Sequence, residues 1–241
     1  MRNPHPINKL NSFFLTLFFL STCLLSLKTF KKVDIKDMRI YGSELFSKEA
    51  IVQNSSLSLP KPLIFIEPKF IEEELKENLS LKKVSIIRQV LPFGLKVLIK
   101  TRVPIAYGEK VSNGKKISGF IDADGFFIKK THVENQDLKR LSIYVYGWQE
   151  NFKKILSEIL ITQKKDGLEL VKVSFSPNGF LTIEEKDLNT ILLGFNPNIV
   201  KSQLKIISNL KNQLKKNKFA EKIDSIDLSD PKNPKIKVFK P

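Results

Sequence analysis

From Leu10 to Leu27 the chain runs for 18 residues, LNSFFLTLFFLSTCLLSL, without one charged side chain. A helix rises about 1.5 Å per residue, so this run reaches about 27 Å, close to the roughly 30 Å hydrocarbon core of a bilayer. Phe30 and a snorkelling Lys28 lengthen it. The segment predicts a membrane anchor at 10–30 behind a short N-terminal tail at 1–9. A cleaved signal peptide competes with this, but Ser26-Leu27-Lys28 stands where an A-x-A-like site is needed. A lipoprotein signal cut before Cys23 competes too, but Thr22 precedes the Cys and the apolar run continues to Leu27. Arg2 and Lys9 precede the span, and Lys28, Lys31, Lys32 and Lys36 follow it. That count alone would hold the large part of the chain in the cytoplasm, yet long domains cross regardless of charge, so composition leaves the side open.

Beyond residue 32 the remaining 209 residues carry 36 basic and 25 acidic side chains, a net +11 within a chain total of +16. The excess is spread along the chain, and the periodic apolar pattern marks folded domains, one or two by length. Cys23 is the only cysteine, and His5 and His132 are the only histidines. A disulfide framework and a Cys-ligated zinc site are therefore excluded, and a Ser-His-Asp triad would rest on His132 alone. The absence of thiols after the span suits an oxidising compartment, and simple rarity of Cys explains it nearly as well. No cofactor or metal site is expected.

Val33–Tyr41 alternates apolar and charged residues and predicts a half-exposed strand ending at Gly42. Ser47 is placed to cap a short helix that Asn54 and Ser55-Ser56 stop. A second helix is expected from Pro68 to about Asn78, with Pro at its first position, Glu72, Glu73 and Glu74 early, and Ile71, Leu75 and Leu79 on one face. KKVSIIRQV and GLKVLIKTR then alternate with period two about Leu91-Pro92-Phe93-Gly94, a hairpin. The order is β-α-α-β-β.

In the second part, GFIDADGFFI at 119–128 predicts two short strands about an Asp122-Ala123-Asp124-Gly125 turn. A calcium loop would need further oxygen ligands where Phe126, Phe127 and Ile128 stand. Leu141–Gly147 reads as a strand, and Glu150–Lys165 as an amphipathic helix closed by Gly167. LELVKVSF, FLTIEE and TILLGF predict a three-stranded meander. A helix over 199–216 presents Val200, Leu204, Ile207, Leu210 and Leu214 on one face, with Lys201, Lys205, Lys211 and Lys215 elsewhere. A last strand at 222–228 precedes a basic tail.

The β-α-α-β-β order matches a POTRA domain, and Arg88, Pro92, LKVLIK and Thr101-Arg102-Val103-Pro104-Ile105-Ala106 resemble the end of that domain in the FtsQ/DivIB family of bacterial cell-division proteins. Thr101 replaces the family's usual Glu. The resemblance implies an α+β protein: a transmembrane helix, a POTRA domain at 33–102, and an FtsQ-type β domain at 103–230, mixed, with an antiparallel sheet and two helices. A basic tail at 231–241 comes last. The same resemblance marks Arg102, Pro104, Ala106, Asp122 and Gly125 as family motif positions of structural rank, and places a partner-binding strand edge at Ser225, Ile226, Asp227, Leu228, Ser229 and Asp230. Ser229 and Asp230 stand where an Arg and an aromatic are common in the family. The implied partners are small coiled-coil division proteins, FtsB and FtsL, held by strand addition.

The function implied by this resemblance is that of a non-enzymatic, single-pass scaffold of the inner membrane, N-terminus cytoplasmic and C-terminal domains extracytoplasmic, recruiting septal proteins. The alternative is a POTRA-type adaptor in polypeptide transport or outer-membrane assembly. The long alternating strands of a membrane barrel are missing from the sequence, so it could only be a detached component. Basic surface without a zinc-finger or RNP-like motif argues against nucleic acid, and membrane lipid along 10–30 is the expected non-protein contact. A hydrolase fails on inventory, since no His, Cys or Gly-framed Ser accompanies Asp122 and Asp124, and no small-molecule substrate is expected.

Overall fold

The computed structural model describes residues 6–112, 114–133, 138, 140–217 and 223–239. Residues 1–5 of the expected N-terminal tail and 240–241 of the basic C-terminal tail lie outside the described residues. Helix α1 (Pro6–Thr29) contains the stretch Asn11–Thr29, with mean hydropathy 1.6 and none of it buried within the chain. The hydroxyls of Thr16, Ser21, Thr22 and Thr29 donate to carbonyls three or four residues back, so these four polar side chains are satisfied without water. The chain divides into two compact units, Met1–Thr101 and Arg102–Pro241.

In the first unit the expected strand Val33–Tyr41 is split. Strand β1 (Lys32–Val33) is followed by a 3-10 turn at Ile35–Asp37 and then by β2 (Met38–Tyr41). The cause is local: the Asp34 carboxylate accepts from the Ile35 N–H at 2.7 Å, and the Asp37 carboxylate accepts from the Asp34 N–H at 3.0 Å. This reciprocal capping box offers the backbone an alternative to a strand ladder. Helix α2 (Lys48–Gln53) starts where Ser47 Oγ accepts from the Ala50 N–H at 3.1 Å. A short strand β3 (Lys61–Pro62) pairs with β1, and α3 (Pro68–Asn78) begins with its proline as expected. Strands β4 (Lys83–Gln89) and β5 (Gly94–Lys100) form the hairpin, and β2 joins β5 in parallel, giving the order β2-β5-β4. Met38, Ile51, Leu75, Leu95 and Val97 fill the space between this sheet and the two helices.

The second unit is built on one nine-stranded sheet. Its strands are β6 (Pro104–Ser112), β7 (Lys115–Asp122), β8 (Phe127–Lys129), β9 (Tyr144–Tyr146), β10 (Leu170–Phe175), β11 (Leu181–Glu185), β12 (Asn189–Gly194), β13 (Ile223–Asp227) and β14 (Lys235–Val238). Their spatial order is β14-β13-β12-β11-β10-β9-β6-β7-β8. Pro104 opens β6, which suits a residue without an N–H at a strand's first position. The sheet is mixed: β6–β9, β9–β10 and β12–β13 are parallel. Two of these parallel steps are crossovers through a helix, α4 (Lys153–Asp166) between β9 and β10 and α5 (Val200–Asn217) between β12 and β13. Leu156, Ile159, Leu160, Val200, Leu204 and Ile207 of these helices pack on the apolar face of the meander β10-β11-β12. Residues 235–238 are a sheet strand, not part of a free tail, so the basic tail expected at 231–241 is corrected there.

Candidate partner-docking edge

The family-motif residues gather at one corner of the second unit. Pro104 lies opposite Asp122 in the β6–β7 register, and Ala106, fully buried, lies opposite Ile121. Arg102 Nη1 donates to Asp122 Oδ2 at 2.5 Å, and its guanidinium carbon sits 3.9 Å from the centre of the Phe126 ring. Asp122 Oδ1 accepts from the N–H groups of Asp124 at 3.0 Å and Phe126 at 2.8 Å, so one carboxylate both pairs the cation and shapes the turn. Trp148 Nε1 donates to the Gly125 carbonyl at 2.8 Å, and Ser157 Oγ of α4 donates to the Ala123 carbonyl at 2.9 Å. Gly125 has φ +74°, and a Cβ there would lie 2.2 Å from the Lys153 carbonyl oxygen. The corner is therefore a latch between turn, strand and helix start, with its carboxylate engaged in structure.

The residues expected at a docking edge lie elsewhere. Five strand steps separate β13 from β6, about 24 Å at the usual spacing. Ser225, Ile226 and Asp227 belong to β13, which pairs in parallel with β12 and antiparallel with β14. Its backbone is thus occupied on both sides, and the expectation of a free edge at 225–230 is corrected. Ile226 and Leu228 point into the core. Asp227, Ser229 and Asp230 build the connection to β14: Asp227 Oδ1 accepts from the Ser229 N–H at 2.9 Å and from its hydroxyl. Asp230 accepts from the Lys232 N–H at 3.0 Å and the Asn233 amide at 2.8 Å. These bonds hold both carboxyls below the ordinary Asp range, for Asp227 through the Ser229 hydroxyl first and its N–H second. Ser229 and Asp230 are turn formers here, at the positions where the resemblance implies an Arg and an aromatic.

Among the described residues β14 ends this side of the sheet, as β8 ends the other, and nothing pairs with its outer side. All four residues are exposed, with Ile236 and Val238 alternating with Lys235 and Lys237, and the following Phe239 is exposed too. Lys237 reaches Asp224 on the neighbouring strand at 3.1 Å. The strand behind it is firmly fixed: Gln203 of α5, fully buried, donates its amide to the carbonyls of Leu193 at 2.7 Å and Leu228 at 2.6 Å. Asn189 donates to the Ile223 carbonyl at 2.6 Å. The apolar spacing of α5 could have located Gln203 and Lys211, which fall one position from Leu204 and four from Ile207. Lys211, expected on the polar side, is buried instead.

Among the described residues no three His, Cys, Asp or Glu side chains converge as a metal site. His132 is half-buried in the turn Lys130–His132, its pKa held below the ordinary value by burial and by Lys129.

Comparison with known proteins bears on the first unit. The family model described as a POTRA domain, FtsQ-type, matches residues 33–102. Residues 33–102 are an FtsQ-type POTRA domain. The match supports the FtsQ/DivIB resemblance and covers Arg88, Pro92 and Arg102 among the residues that carry it. A cytidylate kinase from Caldanaerobacter subterraneus subsp. tengcongensis is 24% identical over 145 residues, 57% of this chain and 63% of the kinase. The chain thus spans less than two thirds of that relative's length. It contains no G-x-x-x-x-G-K-[ST] phosphate loop, and the stretch nearest to one, Gly108 to Lys116, falls in the β6–β7 hairpin instead of before a helix.

Proposed function

We propose that the chain is a non-enzymatic, bitopic membrane scaffold of bacterial cell division. Its POTRA and β domains stand outside the cytoplasm and hold septal proteins, small coiled-coil division proteins of the FtsB and FtsL type among them. The observation that carries the docking mode is the unpaired outer side of β14 with its exposed Ile236 and Val238. An edge strand offers alternate N–H and C=O groups to an incoming strand, and side chains at every second position supply specificity. Lys235 and Lys237 oppose pairing with a second copy of the same edge and favour a partner strand with acidic residues opposite them.

Photocrosslinking in dividing cells tests this. A crosslinker at Ile236 or Val238 should capture a division protein, while one at Ser225, inside the sheet, should capture none. Capture from Ser225 with silence along β14 would refute the assignment.

A further inference from the structure

α1 ends at Thr29 and β1 begins at Lys32. Fully extended, that link reaches only about 11 Å, and it is shorter than that because the Phe30 and Lys31 N–H groups still donate back to Leu27 at 3.3 Å and Lys28 at 3.1 Å. The Lys31 carbonyl in turn accepts from the Leu63 N–H at 3.2 Å, so the link has no slack. If α1 crosses a bilayer, as the proposed function holds, this end of the POTRA domain sits at the lipid surface.

Three segments converge there. β2 starts opposite Leu95, so the chain enters the sheet at the β4–β5 hairpin end. A Cβ on Gly94 would lie 2.1 Å from the Asp37 carbonyl oxygen, so the hairpin abuts the 35–37 turn. Arg88 Nη1 donates to the Ile64 carbonyl at 3.1 Å, and Lys31 Nζ stands 5.0 Å from the centre of the Phe93 ring. Phe30, Ile64, Phe65 and Leu91 are between 41% and 67% exposed. Large apolar side chains clustered in water at the mouth of a membrane helix are costly unless lipid covers them. Lys28, Lys31, Lys32, Lys61 and Arg88 surround them in sequence and in pairing. The nearby acids Asp34 and Asp37 are engaged in their own capping box, and Glu67 precedes α3.

We propose that this end of the POTRA domain is a lipid-facing collar. Phe30, Ile64, Phe65 and Leu91 enter the interfacial zone, and the five cations pair with the phosphates of anionic glycerophospholipids. The collar fixes the tilt of the domain on the membrane without a second anchor. A partner protein covering the same patch is the competing occupant; continuity with α1 favours lipid.

The test uses the full chain with Cys23→Ser, which removes the only native thiol. An environment-sensitive fluorophore is attached at Phe65→Cys, at Leu91→Cys as a second collar site, and at Lys83→Cys as the control. Lys83 pairs with Lys100 at the far end of the seven-residue β4, about 20 Å from the hairpin. In nanodiscs containing phosphatidylglycerol and no other protein, the collar labels should be blue-shifted and several-fold less quenched by acrylamide than the label at 83. Purely zwitterionic nanodiscs, or replacement of Lys28, Lys31, Lys32 and Lys61 by Gln, should reduce that protection at 65 and 91 only. Equal quenching at 65, 91 and 83 in a chain that resists carbonate extraction overturns the collar and spares the anchor. Protection indifferent to anionic lipid overturns the headgroup pairing. A chain that carbonate strips from the membrane overturns the anchor, and the collar falls with it.

Discussion

Lys211 of α5 and Glu185 at the end of β11 form an ion pair that water barely reaches, the two residues being 4% and 1% exposed. Glu185 also accepts from the N–H groups of Glu169 at 3.1 Å, Asp187 at 2.7 Å and Leu188 at 3.0 Å, so its carboxylate organises the β11–β12 turn. Asp187 adds a second carboxylate 3.1 Å from the ammonium. Removing only the cation leaves a buried anion behind, which typically costs about 3–5 kcal/mol. Lys211→Met should therefore destabilise the second unit by about 3 kcal/mol. Trp148, the only tryptophan, lies in that unit and reports its unfolding by denaturant.

The same pair sets an alkaline limit. Burial pulls the Lys211 pKa down, but the hydrogen bonds to Glu185 and then Asp187 outweigh it, so the folded value lies above the ordinary 10.5. A raised folded pKa gives stability that is whole below about 10.5 and is lost as pH climbs through the folded value. The stability gap between the native chain and Lys211→Met should stay constant through neutral pH and narrow only in strong alkali. A gap that closes near neutrality would contradict the pair's role.

Arg102 and Asp122 predict a graded series. Arg102→Ala deletes the charge-assisted bond and the contact over Phe126, and should cost about 3 kcal/mol, as for other buried pairs. Arg102→Lys keeps the charge but not the planar guanidinium, and should fall between the two. Indistinguishable stability of all three proteins by Trp148 fluorescence would show that the latch is redundant.

Two glycines separate backbone strain from steric conflict. Gly125 and Gly167 both have left-handed φ, +74° and +67°, but nothing lies within 4 Å of a Cβ on Gly167, whereas at Gly125 the Lys153 carbonyl oxygen blocks it. Gly167→Ala should cost about 1 kcal/mol for the left-handed conformation alone. Gly125→Ala should cost clearly more and loosen the start of α4, read as lower protection of its amides in hydrogen exchange. Equal costs would mean the turn moves freely away from the helix.

Proline scanning distinguishes the two sides of β14. Successive N–H groups along a strand point in opposite directions, so two of the positions 235–238 face β13 and the other two face outward. Proline at the first pair should lower stability, while proline at the second should leave stability near native and abolish partner crosslinking. Loss of crosslinking at none of the four would exclude strand addition at this edge.

The amino-acid sequence by itself determined the elements that rest on local periodicity and punctuation. The apolar run of α1, the Ser47 cap, the proline that starts α3, the β4–β5 hairpin and Gly167 after α4 are each decided by residues a few positions apart. Its local side-chain bonding also hid one break, since Asp34 and Asp37 interrupt a pattern that alternates like a single strand. Tertiary structure alone decided which strand ends the sheet. Lys235–Val238 reads as a short basic tail because its stability comes from pairing with Ile223–Asp227 and not from its own composition, and that pairing moved the open edge outward by one strand. It likewise decided that Lys211 and Glu185 are buried: a charge enters a core only where a distant residue supplies its counter-charge, and these two, 26 residues apart, carry no local sign of that meeting.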